Sequence, residues 1–280
     1  MDRWPNWIRR SATNREIPDS SSGRSTKNYK YFMKKYQIYI LNLKRHKNRR
    51  KNIISELEKQ NIKNYEFVDA IDGNRLKKSQ LDLMTCKNEK IFNPKNTNMS
   101  AGQVACALGH IKIYKKFLNS KFELALIFED DAMFLDKFME KLKKFILKNF
   151  KYDSQIILLS KLREFYKKPI DKLKNYEFVE VTDAIMSHSY FINRNAAESI
   201  ISFNYPVKTV ADNFFIFRIY CGIKLYGLNP FLVDQENKKF KTSITNKSDL
   251  NKIFLWKMYF HKKKNRILKK RLKKLISHYD

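Results

Sequence analysis

From Tyr36 onward the apolar positions fall into two patterns. Short continuous runs alternate with stretches in which apolar residues recur every three or four positions. Ile38-Tyr39-Ile40-Leu41-Asn42-Leu43 is such a run, rich in β-branched and aromatic residues, and predicts a buried strand. Lys44 to Asn61 follows with Ile53, Ile54 and Leu57 on one helical face. Tyr65 to Ala70 predicts a second strand, ending in the turn Ile71-Asp72-Gly73-Asn74. Strand, helix and strand at this spacing form a βαβ unit, so the sheet has a parallel portion.

The same alternation continues downstream. Residues 87–99 read as a loop. Ser100 can cap a helix to Leu118, with Val104, Ala107, Leu108, Ile111 and Tyr114 at helical spacing. Leu124 to Phe128 is a third buried strand, followed directly by Glu129-Asp130-Asp131. Residues 135–150 predict a basic amphipathic helix and Gln155 to Leu159 a fourth strand. Residues 161–177 have no period and read as loop. Ala184 to Ile192 is strand-like, and Asn195–Phe203 and Thr209–Tyr220 are helical. Leu225 to Val233 predicts a last strand, and from Ser248 the chain reads as a basic helix. The expected fold class is α/β. Its parts are a polar tail at 1–30, one domain at 31–247 and a basic amphipathic C-terminal helix at 248–280.

Composition narrows this little. With 43% hydrophobic residues and only six Gly and six Pro, the chain can bury a core and is not fibrous. No apolar run reaches the roughly 18 residues that span a bilayer. The start has no apolar segment of the secretory kind. Cys86, Cys106 and Cys221 are far apart and predict reduced thiols of a cytoplasmic protein. The formal net charge of +30 favours polyanionic partners: nucleic acid, anionic lipid or phosphorylated glycans. In the C-terminal segment Leu268, Leu272, Leu275 and Ile276 share a helical face between basic residues. That is the form of an interfacial helix on an anionic membrane surface, with a solvated charged tail as the alternative.

Ligands of open α/β sheets bind beyond the carboxyl ends of the strands. Asn42, then Asp69 and Asp72, then Glu129-Asp130-Asp131 stand at three such ends. Carboxylates on a rigid strand end suit a hard divalent cation on a diphosphate, although acidic residues there are also ordinary turn formers.

Five ordered blocks resemble glycosyltransferase family 25, the lipooligosaccharide-biosynthesis galactosyltransferases. Ile38 to Leu43 with Arg49-Arg50 is similar to that family's opening block, and Phe67-Val68-Asp69-Ala70-Ile71-Asp72-Gly73 to its second. Ser100 to His110 resembles its third, Ala125 to Ala132 its fourth, and Ser189-Tyr190-Phe191-Ile192 with Ala196-Ala197 its fifth. Gln103, Ala105 and Gly109 stand where the family usually has Glu, Gly and Ser.

The resemblance implies a GT-A-like fold, with a mostly parallel mixed sheet flanked by helices. It implies a UDP-sugar donor, usually UDP-galactose, and inversion to a β-linkage on a lipooligosaccharide core. Carried over, Asn42, Arg49, Asp69 and Asp72 lie near the nucleotide. Asp131 is the first metal ligand and Asp130 the second, for Mn2+ or Mg2+, while Glu129 holds the turn. Asp212 is the candidate base, its alternative job being to cap the helix that follows, and Asp183 is a weaker rival. His110 reads as a satisfied core histidine, and His188 as a lesser candidate for a metal or phosphate site. The expected location is the inner face of a bacterial cytoplasmic membrane. The rival readings are a basic nucleic-acid- or membrane-binding protein without catalysis, a UDP-glucose user, and a weakened family member, the last prompted by Gln103. Against nucleic acid, no nucleic-acid motif appears and the basic residues concentrate in a tail.

Overall fold

The computed structural model describes residues 36–86, 99–135, 137–149, 153–184, 186–236 and 275–277. The expected N-terminal tail, the 87–98 part of the expected loop and nearly all of the expected C-terminal helix lie outside these residues. In chain order the helices are α1 (Lys47–Lys59), α2 (Lys78–Met84), α3 (Ala101–Leu118), α4 (Phe138–Asn149), α5 (Arg194–Asn204) and α6 (Phe214–Tyr220). The strands are β1 (Tyr36–Asn42), β2 (Glu66–Asp69), β3 (Leu124–Glu129), β4 (Ala132–Phe134), β5 (Gln155–Leu158), β6 (Glu164–Tyr166), β7 (Asp171–Leu173), β8 (Tyr176–Asp183), β9 (Ser189–Asn193), β10 (Lys224–Asn229), β11 (Val233–Gln235) and β12 (Leu275–Ser277).

The main sheet runs β12-β6-β8-β10-β5-β9-β3-β1-β2, with β7 paired to β8, and β4 and β11 form a separate ribbon. It is a mixed sheet flanked by helices, as expected, but it is not mostly parallel. Among the described strands, β1–β2, β1–β3 and β5–β10 are the parallel pairs. β9 lies antiparallel between β3 and β5, and β8 adds a further antiparallel pairing at β10. A strand entering between two parallel neighbours from the opposite end turns two pairings antiparallel at once, and no local sequence signal announces it.

Side-chain alternation divides the core between the sheet's two faces. Tyr39, Leu41, Ala125, Ile127, Tyr190 and Ile192 face one cluster, into which α3 sends Val104, Leu108, Ile111 and Tyr114. Ile38, Ile40, Leu124, Leu126, Phe128 and Phe191 face the other, with Ile53 and Leu57 of α1. The same parity sets the direction of the polar residues that end each strand. Glu129 continues the face of Ala125 and Ile127, under α3. Asn42 continues the face of Ile38 and Ile40, beside α1.

Helix α3 is fixed at both ends. Ser100 Oγ accepts from the Gln103 backbone N–H, and Gln103 Oε1 accepts from the Ser100 N–H, a reciprocal capping box. At the other end the Arg194 guanidinium donates to the carbonyls of Leu118, Ser120 and Phe122. Gly73 lies so close to this helix that a Cβ there would stand 2.7 Å from the Ala101 carbonyl oxygen. The turn after β2 can therefore rest directly on the start of α3.

Several elements differ from expectation. The stretch 161–177 holds β6, β7 and the start of β8. β6 and β7 have three residues each, too few to show an alternation. The strand expected at Ala184–Ile192 begins only at Ser189. The helix expected from Thr209 begins at Phe214, after a turn in which Asn213 Nδ2 donates to Thr209 Oγ1. The strand expected at Leu225–Val233 breaks at Asn229-Pro230 into β10 and β11, because Pro230 has no N–H for a ladder. Leu275 and Ile276, expected on a helical face, pair as β12 with Phe165 and Tyr166. Among the described residues no helix is long and apolar enough to cross a membrane.

Replacing Ser100 with Ala removes the cap of α3 and is expected to lower stability by about 1 kcal/mol in denaturant unfolding. Gln103→Glu preserves the box and adds a favourable charge at the helix start, so its unfolding midpoint should equal or exceed the parent's.

Candidate active site

The three strand ends named by sequence come together. In register, Asn42 stands opposite Asp69, and Leu41 opposite Glu129, so β2, β1 and β3 finish side by side. Beyond them lies a cleft of about 730 Å3 including its mouth. Arg45, His46 and Arg49 line it on one side, Asp72 and Gly73 on another, and Gly102, Ala105 and Cys106 of α3 on a third. Glu129, Asp130, Asp131 and Gln235 complete the wall.

The two aspartates of the triplet are buried and tied to one cation. Arg49 Nη1 lies 2.9 Å from Asp130 Oδ1 and 3.0 Å from Asp131 Oδ2. Asn42 Nδ2 donates to Asp130 Oδ2 at 2.7 Å, and Gln235 Nε2 donates to Asp131 Oδ2 at 3.0 Å. Burial disfavours the Arg49 charge, but Asp130 and Asp131 outweigh it and hold the guanidinium protonated. For Asp131 the balance runs the other way. Burial and the neighbouring Glu129 charge raise its pKa, against Gln235 and Arg49. Asp131 Oδ1 is buried without a hydrogen-bond partner. A carboxylate short of positive charge, with an unused oxygen, fits a hard divalent cation. Asp130, beside it, can supply a further oxygen to that ion.

Glu129 points the other way, beneath α3. Its Oε1 accepts from Ser187 Oγ at 2.6 Å and lies 3.4 Å from His110 Nε2. Burial opposes its charge, yet His110, Ser187 and His188 outweigh burial and bring its pKa down to about 2. His110 is buried, with Nδ1 2.7 Å from the Tyr190 hydroxyl, which in turn lies 2.6 Å from the Tyr114 hydroxyl.

Residues 35–215 match the sequence model of "Glycosyltransferase family 25 (LPS biosynthesis protein)", well over half of the 280 residues. The chain belongs to glycosyltransferase family 25. It is 27% identical to human procollagen galactosyltransferase 2 over 173 residues, covering 60% of this chain and 28% of that one. It is 26% identical over 219 residues to the procollagen lysyl hydroxylase and glycosyltransferase of Acanthamoeba polyphaga mimivirus, covering 71% and 23%. The chain thus spans about a quarter of the length of these curated relatives. A solved Drosophila galactosyltransferase 7 in complex with manganese, UDP-Gal and xylobiose aligns over 77% of this chain and 79% of its own. Its TM-score is 0.37 at 9% identity, too loose a likeness to carry weight.

Within the family 25 domain, the residues expected from sequence do not all reach the cleft. Asn42, Arg49, Asp130 and Asp131 form one hydrogen-bonded group. Asp72 lines the cleft, but its carboxylate accepts from the Asn74 N–H and pairs with Arg45 at 2.7 Å, so it also shapes the wall. Asp69 is not among the lining residues, and its half-exposed carboxylate pairs with Lys44 at 3.1 Å. Asp212 is not the helix cap, since Asn213 holds that position. The Asp212 carboxylate acts on Cys106, whose thiol is pushed well up by burial and by Glu129, Asp212 and Asp131 together. That brings the Asp212 charge within electrostatic reach of Cys106, although Asp212 is not among the residues lining the cleft. Asp183 is engaged by Arg163 at 2.9 Å in a separate buried ion pair.

His110 has the buried, hydrogen-bonded setting of a core histidine at Nδ1, while its Nε2 lies open toward Glu129. His188 is buried with Nε2 3.3 Å from the Val233 carbonyl, and acts on the site through Glu129. Gln103 caps α3 rather than entering the cleft, which removes the reason to read its departure from the family as lost catalysis. At Gly109 an added Cβ would stand 3.1 Å from the Leu41 side chain, so the absence of a Ser there matches tight packing.

Sequence reasoning missed Gln235, Arg45 and His46. Gln235 has no local signal, because only the β4–β11 pairing carries it to Asp131. Arg45 and His46 belong to the basic run that directly follows β1, and that position was the available signal.

The lowered Glu129 pKa has a defined consequence. A carboxylate depressed from about 4.5 to about 2 on folding stabilises the protein above pH 4.5. That stabilisation is lost as pH falls from 4.5 toward 2. In thermal melts against pH, the Tm gap between the parent and Glu129→Gln is expected to stay constant above 4.5 and to narrow below it. A gap that widens on acidification would show that the parent carboxylate is not depressed.

Proposed function

We propose that the protein transfers a hexose, galactose from UDP-galactose, to a sugar hydroxyl of a lipooligosaccharide core, with inversion to a β-linkage. The observation that carries this reading is the group at the end of β3. There two buried aspartates share one guanidinium, and Asp131 keeps a buried oxygen without a partner. Family membership supports the transferase class, and the galactosyltransferases among its relatives support the hexose. A divalent cation, Mn2+ or Mg2+, held by Asp131 with Asp130, would supply charge neutralisation for the departing diphosphate.

The chain's own residues do the remainder. Arg45, His46 and Arg49 place donors along the wall that a diphosphate would face. Arg49 is held in place by both aspartates, so its charge is oriented before substrate arrives. Asn42 and Gln235 fix the carboxylates from opposite sides. Gly73 and Gly102 leave backbone near the ligand without side-chain bulk. Asp212, whose charge reaches Cys106, is the proposed base that takes the acceptor hydroxyl proton. A lipid-linked acceptor accords with the basic C-terminal residues and with a place at the inner face of a bacterial cytoplasmic membrane.

UDP release from UDP-galactose in the presence of Mn2+ tests the reading. Release should stop on chelation, return with added Mn2+, and fall at least about 100-fold in Asp131→Asn, as loss of a transition-state charge clamp requires. Full activity in that variant, or in chelator, would overturn the metal assignment. Release from UDP-glucose but not UDP-galactose would correct the donor.

For Asp212→Asn, kcat is expected to drop by about 100-fold or more, while the Kd for UDP with Mn2+ stays unchanged. An unchanged kcat would return Asp212 to a structural role.

A further inference from the structure

Beneath the proposed diphosphate site a second group of ligand-type atoms converges. Cys106 and His110 are one turn apart on α3 and project from the same face, where β3 brings Glu129 under them. The Cys106 sulfur, a His110 ring nitrogen and a Glu129 carboxylate oxygen all lie within 4.8 Å of one another. Three features distinguish this from ordinary core packing. His110 is 1% exposed, yet its Nε2 has no hydrogen-bond partner. Buried ring nitrogens are normally satisfied, and this one is aimed at the Glu129 carboxylate. The Nε2–Oε1 separation of 3.4 Å is long for a hydrogen bond. It is, however, the edge of a tetrahedron whose centre lies about 2.0–2.1 Å from each ligand, which is about 3.3 Å. Finally, the other ring nitrogen is already anchored. Nδ1 meets the Tyr190 hydroxyl, and Tyr114 holds Tyr190 in turn. A hydrogen bond at the far nitrogen is how proteins orient a metal-binding imidazole.

We infer that Cys106, His110 and Glu129 form a three-ligand site for a thiol-preferring divalent cation of the Zn2+ class, separate from the hard cation proposed for Asp131. Thiolate, imidazole and carboxylate together select a borderline-soft ion, whereas the aspartate pair offers only hard oxygens. Cys106 and Glu129 line the cleft, so the fourth position opens toward it. Three protein ligands with one open position is the arrangement of a reactive or regulatory zinc site rather than a closed structural one. Ser187 orients the Glu129 carboxylate.

Cobalt is the probe, because Co2+ occupies such sites and reports a bound thiolate by a charge-transfer absorption. The metal-free full-length protein should show that band rising to one equivalent of Co2+ and disappearing when Zn2+ is added. Cys106→Ser should abolish it. Cys86→Ser, Cys221→Ser and Asp131→Asn should retain it, and the last also separates this site from the donor's cation. Tyr190→Phe should keep the band but weaken binding by about 10–100-fold, as loss of an outer-shell partner does. A second measurement needs no variant: Zn2+ should slow alkylation of Cys106 in the parent, with Cys86 and Cys221 unaffected, as mapped by mass spectrometry. Absence of the band in folded parent protein, its persistence in Cys106→Ser, or Zn2+-independent alkylation of Cys106 would each overturn the site.

Discussion

Three consecutive carboxylates at the end of one buried strand are a charge problem, and much of the site's architecture is the answer to it. Glu129, Asp130 and Asp131 cannot all be ionised in a partly desolvated place without compensation. The end of the strand at Glu129 and the turn that follows it separate them. Glu129 turns under α3 to His110 and Ser187, while Asp130 and Asp131 turn to Arg49. A single guanidinium spans both aspartates, which is why Arg49, at the first turn of α1, must sit where β1 delivers that helix. Without the parallel β1–β3 pairing, the cation and the carboxylates would not meet.

Compensation is incomplete, and the two proposed cation sites rest on what it leaves over. Asp131 retains an unpartnered oxygen and a raised pKa, set by burial and Glu129. His110 retains an unpartnered nitrogen. Buried atoms without partners also occur elsewhere in the core, at Gln155 and Asp183 for example, so these two gain their meaning from the ligand-type groups around them. The two open atoms differ in chemistry. One is a hard oxygen among oxygens, and the other an imidazole beside a thiol.

The scaffold supports this arrangement through α3. Its capping box, its Arg194-bound C-terminus and its close contact with Gly73 hold the helix against the sheet, so Cys106 and His110 are presented rigidly. Gln103 illustrates how a departure from a family pattern can be misread as a catalytic change. In this fold the position faces the helix start, and its amide accepts the N–H that a carboxylate would accept. Asp212 shows the opposite case: a residue that could have been a cap stands one position too early, and its field reaches Cys106.

What the sequence determined by itself follows from short-range rules. Strands β1, β2, β3 and β5, helix α3 with its Ser100 cap, and polar or acidic residues at three strand ends were all legible, because apolar runs, helical periods and capping chemistry are local. The family was legible too, since five motifs in order need no coordinates. The short strands β6 and β7 were not legible, nor was the break of the last strand into β10 and β11. Strands of three residues are too short to show an alternation and take their conformation from their neighbours. Only the tertiary structure decided which side each member of the triplet faces, that Asp69 pairs outward with Lys44, and that Gln235 reaches Asp131 from 104 residues away. The reason is geometric. A strand's pleat and its pairing partners set the direction of a side chain, and pairing between distant segments is a property of the whole sheet.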